Sequence, residues 1–100
     1  MYQLYGIDCE CRVVNQVIQS KSEALDTYFR LNRKEQNAVV FICTGDTVNS
    51  GDYSRAQKYK LAERFVEANR GGNLDEACRL WKRMKSYSEK QLRYMKKVCH

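Results

Sequence analysis

Proline is absent from this 100-residue chain, and histidine and tryptophan occur once each. Without proline the usual helix stop and every slow X-Pro isomerisation are missing, and a long stiff linker is not expected. The one histidine is His100, so a Cys-His pair with Cys43, the thiol that ends the apolar run AVVFIC, would rest on the end of the chain. Long apolar runs are missing too. AVVFIC, at 38 to 43, has the length of a buried strand and falls far short of the roughly 20 residues that cross a bilayer. No basic-then-apolar leader opens the sequence and five cysteines is an odd number, so a disulfide framework is not expected and a reducing cytoplasm is.

What is present suits one folded domain over residues 1–100, with 43% hydrophobic and 30% charged residues. The net charge of +6 is lopsided. Residues 1 to 50 carry five Lys/Arg against six Asp/Glu, a net of −1, whereas residues 51 to 100 carry thirteen against six, a net of +7. A field of one sign in half the chain points to a polyanionic partner: nucleic acid, an acidic protein or an anionic surface.

The segment YGIDCEC, residues 5 to 11, alternates with a period of two. Tyr5, Ile7, Cys9, Cys11 and Val13 fall on one side and Asp8, Glu10 and Arg12 on the other, which predicts a strand with its thiols on the buried face. Gly6 suggests a bulge, and VVNQVI at 13 to 18 a continuation as the second strand of a hairpin around Asn15-Gln16. Asp8 and Glu10, with Asp46, have the chemistry of a magnesium-binding carboxylate cluster, and Cys9, Cys11, Cys99 and His100 that of a zinc site. Both are weaker than the architectural reading. No nuclease motif surrounds the carboxylates, and a one-residue gap between thiols leaves little room for tetrahedral angles, so no metal and no cofactor are expected.

Ser20 with Glu23, or Ser22 with the acidic residues after it, signals a helix start, followed by Ala24, Leu25, Tyr28, Phe29 and Leu31 on one face. AVVFIC then reads as a central strand covered on both faces. TGDTVNSGDYS is a polar loop that lacks the GxxxxGK[ST] and GxGxxG phosphate-binding patterns and is long enough to serve as a contact surface. Ser54 with Gln57 predicts the next helix start, Tyr59, Ala62, Phe65 and Val66 its buried face, and Gly71-Gly72 its end.

From Asn73 or Asp75 a last helix is expected to run to Val98. At 100° per residue Arg79, Lys82, Arg83, Lys90, Arg93 and Lys97 form one stripe with Ser86 between them, while Leu74, Ala77, Trp81, Met84, Ser88, Leu92, Met95 and Cys99 lie opposite. Tyr87 and Tyr94 sit at the boundary with Leu80 and Val98. A solvated helix face explains outward charge but not its sign, since Glu89 is the only acid from 79 to 97 and a merely wet helix mixes signs to gain i,i+4 pairs. Ser88 and Gln91 fit a capping box and suggest a break near Ser88. The same two residues interrupt a heptad seam and disfavour a coiled coil.

These readings add up to an α+β fold: a small sheet from residues 2–18 and 38–44, one short helix, and a basic C-terminal helical hairpin from 54 to 98. The expected function is non-enzymatic binding of a polyanion, foremost nucleic acid. Arg79, Lys82, Arg83, Lys90, Arg93 and Lys97 would neutralise phosphates, and Tyr87 or Tyr94 would stack on bases. The alternative is a protein-docking inhibitor or modulator of a nucleic-acid enzyme, such as a phage or mobile-element accessory or anti-defence factor. A magnesium-dependent nuclease ranks third, and no membrane partner is expected.

Overall fold

In the computed structural model, residues 1–44 and 51–99 are described. Two strands, β1 (Tyr2–Ile7) and β2 (Val13–Ile18), form an antiparallel hairpin, and α1 (Lys21–Leu31) leads to β3 (Val39–Thr44). Three helices follow: α2 (Gly51–Tyr59), α3 (Leu61–Arg70) and α4 (Leu74–Cys99). The sheet order is β2-β1-β3, all antiparallel, so the central strand is β1. An α+β fold with a C-terminal helical layer is therefore observed. No helix among the described residues is long and apolar enough to cross a membrane.

The segment YGIDCEC is a strand end and a turn, not one continuous strand. The Asp8 amide donates to the Arg12 carbonyl (2.9 Å), and Asp8 Oδ1 accepts from the amides of Glu10 and Arg12, both at 2.9 Å. Cys11 takes the left-handed position of this three-residue loop, with φ 61°. The predicted turn at Asn15-Gln16 is thus displaced to residues 8–12, and Cys9 and Cys11 are exposed instead of buried. The misleading signal was Cys11, which occupies a place where glycine is the usual marker.

Gly6 marks close approach, not a bulge. The register runs one to one through it, between Val14 and Val40, and a Cβ there would stand 2.0 Å from the Val39 carbonyl oxygen.

Both faces of the sheet are covered. Tyr5, Ile7, Val39 and Phe41 pack with Tyr53, Ala56, Leu61, Ala62, Phe65, Ala77, Leu80 and Met84 on one side. On the other, Leu4, Val14, Val40 and Ile42 pack with Ala24, Tyr28 and Met95. Double coverage accounts for the unbroken apolar run of β3, which is an edge strand and not the central one. Tyr5 adds a polar tie: its hydroxyl donates to the Glu63 carboxylate and accepts from the Ala62 amide (3.0 Å), joining β1 to the start of α3. Burial, with the neighbouring carboxylate, pushes the Tyr5 phenol well above its ordinary pKa.

The edge of β3 is closed by two side-chain amides. Asn32, which caps α1, donates Nδ2–H to the Val40 carbonyl and accepts from the Val40 amide, both at 3.0 Å. Gln91 does the same for Ile42, at 2.9 and 2.8 Å. Each amide imitates one rung of an adjacent strand.

Local signals set most helix ends. Ser20 Oγ accepts from the Glu23 amide (3.3 Å), Asn73 Oδ1 from the Glu76 amide (3.3 Å), and Gly72 adopts φ 75° at the turn between α3 and α4. The single helix predicted from Ser54 to Arg70 is instead two, because Lys60 turns left-handed with φ 48°. Ser54 lies inside α2, and Tyr59 is exposed rather than core. Asp46, His100 and most of TGDTVNS fall outside the described residues.

Candidate polyanion-binding face

The last helix is continuous over 26 residues, without the break considered near Ser88. At 1.5 Å per residue that is about 39 Å, and it matches the 38 Å long dimension of the molecule. Its buried face consists of Ala77, Leu80, Met84, Ser88, Gln91 and Met95. This face is turned toward Leu80 and Gln91 relative to the sequence expectation, and Leu74 is left 67% exposed. Ala77, Leu80 and Met84 pack on the first face of the sheet, but Met95 packs on the second. The helix therefore passes from one face to the other around the β3 edge, with Gln91 at the crossing. A polar residue in an apolar stripe is explained by the strand edge it satisfies.

The predicted stripe does lie outward. Arg79, Lys82, Lys90, Arg93 and Lys97 are exposed and Arg83 is partly so. Their surroundings divide them. Arg79 is committed: its guanidinium bonds both carboxylate oxygens of Glu76 (2.6 Å at the closest), and Arg64 reaches the same carboxylate at 3.3 Å. These hydrogen bonds, from Arg79 first, hold the Glu76 carboxyl below its ordinary pKa.

Arg83 is held in an aromatic cradle. Its Nε–H donates to the Tyr87 hydroxyl (3.3 Å), and its Cζ lies 4.7 Å from the centre of the Tyr59 ring and 5.9 Å from that of Tyr87. The Tyr87 hydrogen bond is the main cause of a further rise in the pKa of this guanidinium. Tyr87 is consequently engaged with Arg83 and packed against the core, while Tyr94 is 38% exposed.

The remaining cations of the stripe differ from these two. Lys82, Lys90, Arg93 and Lys97 make no ion pair among the described residues, and exposed Lys85 and Lys96 extend the same side. Sequence reasoning passed over those two because it placed a narrow stripe where the exposed surface spans more than half the helix. It also missed Tyr59, whose exposure depends on the left-handed break at Lys60.

The carboxylates of the hairpin turn are engaged within it. Asp8 is occupied by the turn amides and by Arg12 (3.4 Å), and Glu10 pairs with Arg12 at 3.0 Å. Among the described residues no three His, Cys, Asp or Glu side chains converge on a point that would hold a metal ion. Cys43 is half-buried, and Cys78 is exposed. A groove of about 500 Å³ lies between the hairpin turn and α3, but Arg12 and Arg70 alternate there with Glu63 and Glu67, and α4 contributes nothing to it. Compared with protein-family models, with curated proteins and with solved structures, the chain matches none.

Proposed function

We propose that this protein is a non-catalytic polyanion-binding module whose ligand is nucleic acid, held along the outward side of α4. The observation that carries this reading is the run of exposed cations at Lys82, Lys85, Lys90, Arg93, Lys96 and Lys97, with Glu89 the only acid among them and no ion pair using them within the described residues. Cations left without partners in the fold keep their full charge for phosphates, and binding releases the counterions that phosphates hold. Arg79 and Arg83 contribute field but are already engaged, so the phosphate contacts fall to the lysines and Arg93. Tyr94 supplies an exposed ring for stacking on an unpaired base.

The test is titration of labelled single- and double-stranded oligonucleotides across a salt series. Contacts to about five phosphates give a slope near −4 in log affinity against log salt, hence a loss of about two orders of magnitude over a fourfold rise in salt. A flat salt response, or affinity unchanged in Lys90→Glu/Arg93→Glu/Lys97→Glu, would sink the reading.

A further inference from the structure

The two edges of the sheet are treated differently. On β3 the outward peptide groups belong to Val40, Ile42 and the terminal Thr44, and Asn32 and Gln91 consume those of Val40 and Ile42. Hydrogen-bonding direction alternates along an antiparallel strand, so β1 turns residues 3, 5 and 7 to β3 and residues 2, 4 and 6 to β2. The outward groups of β2 are then those of Val13, Asn15 and Val17. No described residue bonds to them.

Nothing in β2 discourages pairing either. Exposed edges are normally protected by lysine, proline, a bulge or a covering segment. VVNQVI has no charge and no proline, and its register with β1 is unbroken over six residues. Val13 and Val17 are 38% and 54% exposed, so the strand offers apolar side chains together with its peptide groups.

We infer that β2 pairs with β2 of a second copy of this chain, antiparallel about a two-fold axis at Asn15, joining two three-stranded sheets into one of six strands. The sequence is self-complementary in that register. Val13 faces Val17 of the other copy, Asn15 faces Asn15, and these are the positions whose peptide groups point outward, so each facing pair exchanges two hydrogen bonds. Asn15 Oδ1 already accepts from Gln3 Nε2 (2.9 Å), which leaves its own amide hydrogens to donate across the axis. No charge opposes a like charge within the strands. At either end the turn of residues 8–12, in which Asp8 and Glu10 pair with Arg12, comes alongside Lys21 at the start of the other copy's α1. The inference is independent of what α4 binds.

The experiment is analytical ultracentrifugation over a wide concentration range, combined with residue-resolved amide exchange. A reversible dimer is expected in which the amides of Val13, Asn15 and Val17 exchange about tenfold or more slowly at high concentration. Those of Val14, Gln16 and Ile18, already bonded to β1, should be unchanged. Asn15→Lys sets two ammonium groups against each other at the axis and raises the dimer dissociation constant at least about tenfold. Val17→Lys, at an exposed position off the axis, does the same, and unchanged circular dichroism and thermal melting of both variants show that the monomer still folds. The inference is overturned by a wild-type monomer at every concentration, by a dimer whose Val13, Asn15 and Val17 amides exchange as in the monomer, or by a dimer that persists in folded Asn15→Lys.

Discussion

The two halves of α4 carry similar formal charge and differ in what that charge is doing. In the first half Arg79 is clamped to Glu76 and Arg83 lies between Tyr59 and Tyr87, which leaves Lys82 and Lys85 as the cations without an ion pair there among the described residues. In the second half Lys90, Arg93 and Lys97 stand in solvent without an ion pair among the described residues. A helical wheel weights the two alike. The comparison teaches that cations already committed within a fold should be discounted when a binding surface is located.

The comparison breaks most severely if reversing the second half leaves binding intact. Lys90→Glu/Arg93→Glu/Lys97→Glu is expected to cost about a thousandfold in oligonucleotide affinity, roughly 4 kcal/mol. Its melting temperature should barely move, because exposed side chains carry little stability.

Next in size is the crossing between the halves. Gln91→Ala removes both hydrogen bonds that cover Ile42 and leaves a buried N–H and C=O unpaired, for an expected loss of about 3 kcal/mol in denaturant unfolding. Amide exchange should then show the second half of α4 opening before the first.

A third, smaller effect isolates the first half. Tyr53 belongs to the core under Ala77, Leu80 and Met84; its hydroxyl is buried without a hydrogen-bond partner among the described residues, and burial, with Cys43 beside it, pushes the phenol up to about 12. Because the folded value lies above the unfolded one of about 10, the stability held in the neutral phenol is complete below pH 10 and is lost as pH rises toward 12. Tyr53→Phe should flatten that alkaline loss and, by removing an unpaired polar atom, change neutral-pH stability by no more than about 1 kcal/mol, upward. Urea titrations at a series of pH values measure both.

Smallest of all, Glu76→Gln releases Arg79 from its pairing. Nucleic-acid affinity should rise about two- to threefold, since one more cation becomes available, and the salt slope should steepen by a fraction of a unit. An unchanged affinity would mean that Arg79 lies outside the contact region.

Much of this arrangement was legible in the sequence wherever the cause is short-range. Ser20, Asn73 and Gly72 act within one helical turn, and the outward stripe of α4 follows from period alone. Illegible features depended on a residue in an uncommon role. Cys11 and Lys60 adopt left-handed backbone without being glycine or asparagine, so a turn and a helix break went unmarked. Gln91 interrupts an apolar seam for the sake of a strand 49 positions earlier, a partner that no local pattern names. The assignment of β3 as central failed for a related reason. Coverage of both faces gives the same unbroken apolar run at an edge as at the centre, and the edge was hidden by side chains instead of a strand.

That distribution of partners sets a schedule during synthesis. Asn32 precedes Val40 and can cover it as soon as the strand leaves the ribosome, whereas Ile42 waits 49 residues for Gln91. At roughly 5 to 20 residues per second that interval is on the order of several seconds. Through it, one rung of a hydrophobic strand stays available to any neighbouring nascent chain, so crowded polysomes and slow codons between positions 42 and 91 lengthen the time in which β3 can mispair.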